Sequence, residues 1–165
     1  MCIRDRVHVV ANLPYNIGTT LVLDILADVP RVESITVLVQ TEVAERLAAG
    51  PGSKIYGIPS VMAALHADAD LLAVVPPTVF VPRPKVQSSV VRLRRRPGPP
   101  EVDHDDLATV VRAGFGQRRK MLRRALSGLL SEEQISEADV APTDRAEQLD
   151  LAAWIRLARV VQSSS

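Results

Sequence analysis

Val7 to Ala11 is an apolar run broken only by His8, the pattern of a short buried strand. It stops at Asn12-Leu13-Pro14-Tyr15-Asn16, where Pro14 removes an amide donor and biases Leu13 away from helix. Ile17, Leu21, Ile25 and Leu26 then recur at helical spacing and end before Pro30. Ser34 to Gln40 is β-branched and apolar, which predicts a second buried strand. Glu42 to Ala49 reads as a helix stopped by Gly50-Pro51-Gly52, Gly57 to Ala67 as another helix, and Leu71 to Val75 and Val86 to Leu93 as strands. Strands alternating with helices predict an α/β layer structure with a largely parallel sheet, of which four strands are visible.

Past Pro97-Gly98-Pro99-Pro100 every apolar pattern has the helical period: Leu107, Val111 and Phe115, then Leu122, Leu126 and Leu130, then Leu151, Ile155 and Ala158. A boundary near residue 97 is therefore expected, with residues 1–96 forming the α/β part and residues 97–165 a small all-helical domain.

Composition changes this picture in one respect. The 165 residues carry a formal charge of only +1, yet the stretch from Arg83 to Arg124 holds 12 Lys and Arg against 4 Asp and Glu. That concentration points to a polyanion met at one region. Arg83 and Lys85 sit on a Pro-stiffened loop, and Arg92, Arg94, Arg95 and Arg96 close the last strand. Arg119, Lys120, Arg123 and Arg124 occupy one arc and Leu122, Leu126, Leu129 and Leu130 the opposite one, which predicts an amphipathic helix with a cationic face: a solvated face, a membrane-surface or calmodulin-target helix, or a phosphate-contacting one. One cysteine, Cys2, and three scattered histidines leave no metal-ligand pattern, so no metal is expected. No stretch of 18 apolar residues is present, and a cytoplasmic, monomeric protein without a membrane partner is the expectation. Trp154 and Tyr56 are read as core residues, and Asp103, Asp105 and Asp106 as helix-start acids that suit the helix dipole.

In open α/β sheets the working residues lie just beyond the carboxyl ends of strands, where Asn12-Leu13-Pro14-Tyr15 falls. An exocyclic adenine amine is a poor nucleophile because its lone pair is delocalised into the ring. Two fixed acceptors, the Asn12 side-chain carbonyl and the Pro14 backbone carbonyl, suit it: each takes one amine hydrogen, aims the lone pair and spreads the developing positive charge. Tyr15 offers a face on which an extruded base can stack. The competing reading is a strand-ending turn in which Asn12 caps the next helix and Tyr15 plugs the sheet edge.

Five ordered blocks decide more than this motif alone: Val9 to Ile17, Gln40 to Leu47, Pro51 to Gly57, Phe80 to Ser88, and Phe115-Gly116-Gln117-Arg118-Arg119-Lys120. Together they closely resemble the ribosomal RNA adenine N6-dimethyltransferases, in the branch that acts on two adjacent adenosines of small-subunit rRNA. The resemblance implies the C-terminal part of a Rossmann-like class I methyltransferase sheet followed by a small all-α domain, with S-adenosylmethionine as cofactor and ribosomal RNA of the small subunit as partner. It implies that Asn12 and Pro14 hold the target amine, that Tyr15 and Phe80 close on the two faces of the base, and that Asn12 and Leu13 lie against the cofactor. It also implies that Arg83, Lys85, Arg118, Arg119, Lys120 and Arg123 contact RNA. The pattern has Lys where this chain has Thr41, and Leu where it has Pro59.

Members of that family carry a glycine-rich loop after their first strand and an acid after the second, both upstream of the Asn-Leu-Pro-Tyr block. Neither occurs here, and Met1 to Arg6 match nothing expected before Val7. These six residues are accordingly read as non-native, and the chain as part of a longer enzyme, inactive alone. Two other readings stay open: a non-catalytic RNA-binding or ribosome-assembly module, and a large-subunit rRNA methyltransferase of the macrolide-resistance type.

Overall fold

The computed structural model describes residues 6–164, so most of the segment read as non-native, Met1 to Asp5, lies outside the described residues. The chain forms two compact units. The first holds the residues up to Ala49 together with Met62–Pro99, and the second holds Gly50–Val61 together with the residues from Pro100 onward.

In the first unit the elements are β1 (Val7–Asn12), α1 (Gly18–Asp28), β2 (Val32–Gln40), α2 (Thr41–Ala48), the greater part of α3 (Ile58–His66), β3 (Ala67–Val75) and β4 (Ser88–Arg95). Their positions follow the hydropathy pattern closely, with β3 beginning four positions earlier than Leu71 and directly after α3, but β1 is not the buried strand its apolar run predicts: it ends the row of strands and leaves Val7 and Val10 exposed. Strand order is β1-β2-β4-β3. The β1–β2 ladder is parallel, whereas β2–β4 and β3–β4 are antiparallel, which corrects the expectation of a largely parallel sheet. The physical reason lies between β3 and β4. That loop contains only a three-residue 3-10 turn, Pro77–Val79, and no helix long enough to carry the chain across the sheet face, so β4 turns back alongside β3. On β2, Val32, Ile35, Val37 and Val39 are buried and alternate with half-buried positions, and the core gathers them with Val22 and Leu26 of α1, Leu47 of α2, Ala63 of α3, and Val91 and Leu93 of β4. Arg95, at the end of β4, donates to the carbonyls of Val32 at 2.7 Å, Val29 at 3.1 Å and Ile25 at 3.5 Å, which satisfies the open C-terminal end of α1.

The second unit contains α4 (His104–Gly116), α5 (Leu122–Ala125), α6 (Glu132–Glu137) and α7 (Leu151–Ser164), joined by turns. Asp103 starts α4 by accepting hydrogen bonds from the Asp105 and Asp106 amides, and Ser131 and Gln134 form a reciprocal capping box on α6. Of the residues picked out by helical spacing, Leu107, Val111, Leu122, Leu126, Leu130, Ile155 and Ala158 are buried and Phe115 and Leu151 half-buried, and Trp154 is buried as expected. The helical run expected through Leu130 ends early, however, because Ser127 turns its hydroxyl to the Arg124 carbonyl at 3.1 Å and Gly128 follows. Arg118, Arg119 and Lys120 lie in the turn between α4 and α5, so the continuous amphipathic helix with one cationic face is not formed.

Gly50–Val61 joins this unit through Tyr56. Its ring meets Phe115 edge to face at 5.7 Å between centroids, Phe115 stacks on Trp154 at 5.6 Å, and the buried Tyr56 hydroxyl donates to the Leu149 carbonyl at 2.9 Å. Gly114 makes room for this stack: a Cβ there would lie 2.5 Å from the Trp154 ring.

Two outcomes follow for the helical unit. Gly114→Ala should destabilise it by roughly 1–3 kcal/mol through overpacking, read by chemical denaturation. Burial pushes the Tyr56 phenol up to about 12. Because the folded value lies above the unfolded one, its stabilising contribution is complete below the ordinary phenol range and is lost as pH rises toward 12. Phenolate absorbance should therefore show a late-titrating tyrosine that Tyr56→Phe removes.

Candidate active site and nucleic-acid interface

The polarity of the sheet assembles the candidate site. β1 and β2 end, β3 ends and β4 begins at one edge, as the pairs Gln40↔Ser88 and Val75↔Ser88 and the parallel register Asn12↔Leu38 require. Asn12 to Asn16, Thr41, the β3–β4 loop bearing Phe80, Arg83 and Lys85, and Ser88 therefore leave the sheet at the same edge. This is the position at which open α/β sheets bind ligands.

Asn12 is exposed at the last position of β1. It caps no helix: α1 starts from Ile17 without a side-chain cap, so the reading of Asn12 as a helix cap is corrected. Leu13 turns its side chain into the core and donates its amide to the Leu38 carbonyl at 3.1 Å, which fixes the height of the loop above the sheet. Pro14 is exposed, and its carbonyl accepts the Ile17 amide at 3.3 Å, leaving one lone pair open. Gly18 lets α1 begin close to β2, since a Cβ there would lie 3.1 Å from Val39 Cγ1.

Tyr15 is half-buried, and its hydroxyl lies 2.7 Å from the hydroxyl of Ser88, a fully buried residue at the start of β4. Beside it the Thr41 hydroxyl lies 2.8 Å from that of Ser89, and the Thr41 amide donates to the Gln87 carbonyl at 3.0 Å. Two hydroxyl pairs thus tie the β1 and β2 ends to the start of β4. The serines carry no motif chemistry of their own: Ser88 closes the Phe80 to Ser88 block and Ser89 lies just beyond it. Phe80 is half-buried, and its amide donates to the Pro77 carbonyl at 3.3 Å, closing the 3-10 turn. Arg83 and Lys85 follow on the same loop and are exposed.

The remaining basic residues divide sharply. Arg94 donates to Asp70 at 2.9 Å, Arg92 lies 3.7 Å from the same carboxylate, and Arg96 pairs with Asp68 at 2.6 Å, all across the β3–β4 ladder. These cations are matched by acids that the charge count places outside the basic stretch. In the second unit Arg119, Lys120, Arg123 and Arg124 are exposed, with Arg123 3.9 Å from Glu132, whereas the half-buried Arg118 pairs with Glu147 at 3.0 Å. Among the described residues no group of His, Cys, Asp and Glu gathers to hold a metal ion, and no helix is long and apolar enough to cross a membrane.

A family model described as ribosomal RNA adenine dimethylase matches residues 1–163. The chain belongs to the ribosomal RNA adenine dimethylase family. Among its relatives, the ribosomal RNA small subunit methyltransferase A of Acidothermus cellulolyticus is 47% identical over 161 residues, covering 94% of this chain and 56% of that protein. The protein of the same name from Xanthomonas euvesicatoria is 47% identical, covering 93% of this chain and 60% of its own length. The chain thus spans less than two thirds of the curated relatives it matches. Among solved structures, a dimethyladenosine transferase from Plasmodium falciparum superposes with a TM-score of 0.77 at 21% identity over 91% of this chain and 64% of its own. The 23S rRNA methyltransferase ErmE gives 0.67 at 23% identity over 94% and 65%. At these identities the two structures establish the shared methyltransferase fold.

The Tyr15–Ser88 bond is open to a double-mutant test. Tyr15→Phe and Ser88→Ala should each cost about 1 kcal/mol, and the double variant should cost less than their sum, because either change alone leaves a hydroxyl without its partner. Urea denaturation of the four proteins checks this.

Proposed function

We propose that this chain is the target-base and RNA-holding part of an rRNA adenine N6-dimethyltransferase that acts on two adjacent adenosines of small-subunit rRNA, with residues up to 96 belonging to its methyltransferase domain and residues from 97 to its helical domain. The observation that carries the reading is the placement of exposed Asn12, exposed Pro14 and a hydroxyl-anchored Tyr15 together at one sheet edge within a chain of this family. The alternatives carry less support. The large-subunit structure ErmE shares the fold at 23% identity, against 47% for the small-subunit relatives, and a purely RNA-binding module would not need a base-holding edge.

At the reacting nitrogen the Asn12 and Pro14 carbonyls accept the two N6 hydrogens, which turns the lone pair out of the purine plane. As the nitrogen takes up a methyl group, the developing positive charge is shared between these two acceptors until one hydrogen leaves as a proton. Tyr15 and Phe80 supply the two faces between which the base stacks. Tyr15 needs its ring orientation held for this, and Ser88 holds the far end of the ring.

The family uses S-adenosylmethionine, which supplies the electrophilic methyl when bound. The fit of this chain to it is one-sided. Asn12 and the backbone of Leu13 offer one wall, and no glycine-rich strand-to-helix turn or following acid is present to cradle the rest. Arg83 and Lys85 in the first unit, and Arg119, Lys120 and Arg123 in the second, supply exposed charge for phosphate contact, which positions RNA without reading its sequence.

Methyl transfer from labelled S-adenosylmethionine to a hairpin with two adjacent adenosines should be measured for this chain joined to the part of the Acidothermus relative that it does not span. Asn12→Ala should lower the rate by at least 100-fold and leave hairpin affinity within about 2-fold. Equal loss of both would make Asn12 structural.

A further inference from the structure

Arg118 stands within the basic run that the RNA-binding reading draws on, yet each nitrogen of its guanidinium is already directed at protein. Nε donates to Glu147 at 3.0 Å, Nη1 to the Tyr56 carbonyl at 2.9 Å, and Nη2 to the carbonyls of Lys54 at 2.7 Å and Ser53 at 3.4 Å. The guanidinium carbon lies 5.9 Å over the centre of the Phe115 ring. Glu147 completes the arrangement by accepting the Gly52 amide on its backbone carbonyl at 2.7 Å. A phosphate binding Arg118 would have to displace a carboxylate and three carbonyls. A planar, five-donor fork suits this gathering of carbonyls, and an ammonium does not reproduce it.

The consequence falls on Lys54. Arg118 holds the backbone of Ser53 to Tyr56 by its carbonyls, while the Lys54 side chain is exposed and has no acceptor among the described residues. We propose that Arg118 is a positioning residue and that Lys54, held on the loop it clamps, is a phosphate contact of the helical unit alongside Arg119 and Lys120. This rests on the RNA-binding reading above.

The test uses the 165-residue chain and a short RNA hairpin with two adjacent adenosines, with affinity followed across a salt series and amide hydrogen exchange followed in parallel. Lys54→Ala should lower the slope of log affinity against log salt by about 0.7–0.9, one phosphate contact. Arg118→Lys keeps the charge but should lower the slope by the same amount, and adding Lys54→Ala to it should lower it no further. Glu147→Gln should weaken binding as well, and both clamp variants should raise exchange at residues 53–56. The proposal is overturned if Arg118→Lys binds as wild type with its slope intact, if Glu147→Gln tightens binding, as removing a carboxylate beside a bound phosphate would, or if Lys54→Ala leaves the slope unchanged. Should Arg118→Lys fail to fold, Glu147→Gln and Lys54→Ala carry the test. A wild-type chain that binds no hairpin defeats the RNA reading and the role of Lys54 with it. Exchange at 53–56 then decides the clamp separately, and unchanged exchange in Glu147→Gln overturns it.

Discussion

β4 runs against both of its neighbours yet lies between them, so the loop that leads into it must open at the edge where β1 and β2 finish. Were β4 parallel to β2, Ser88 would begin at the opposite edge and could not reach Tyr15. The reversal therefore decides which side chains meet. It brings a proline-rich loop carrying Phe80, Arg83 and Lys85 to the same sheet edge as the Asn12-Leu13-Pro14-Tyr15 turn and supplies two buried hydroxyls as anchors. It also explains a division of labour along one strand: the first residues of β4 serve the site, while the arginines at its far end pair with Asp68 and Asp70.

Electrostatically the chain is less lopsided than its linear charge pattern. Arginines on β4 and at Arg96 just after it face acids on β3 at 2.6 to 3.7 Å, and Arg118 faces Glu147. Exposed pairs of this kind add little stability individually, so their main effect is to remove charge from what a polyanion meets. Among the described residues, Arg83 and Lys85 on the β3–β4 loop and Arg119 and Lys120 in the turn after α4 are exposed and without an ion pair, on segments where side chains can follow a phosphate backbone.

The elements of the first unit were legible because strand and helix periods switch cleanly at Pro14, Gly50 and Pro97, and Asn12, Pro14 and Tyr15 stood out as candidates because Asn, Pro and Tyr at a strand end have a specific chemical use. Sheet pairing was not legible, since hydropathy fixes which face is buried and says nothing of a neighbour's direction. Ser88 escaped notice because a serine's role depends on what the fold sets opposite its hydroxyl. Tyr56 was recognisable as a core residue, but nothing in Gly50 to Val61 says which core receives it, and the answer lies in Phe115 and Trp154, far along the chain. Arg118 shows the same limit for charge: three adjacent cations look alike in sequence, and only Glu147 and three carbonyls single one out.

Arg95 adds a constraint in time. The carbonyls of Ile25 and Val29 at the end of α1, and of Val32 at the start of β2, find a donor on a residue at the end of the unit's final strand. On a ribosome, which delivers the chain from its N-terminus, the Asn12 turn and the helix behind it emerge long before that guanidinium does. Within this unit the Asn12 turn is thus synthesised well before the strand that completes its surroundings, so a nascent chain displays the turn before it has the framework that gives the turn its shape.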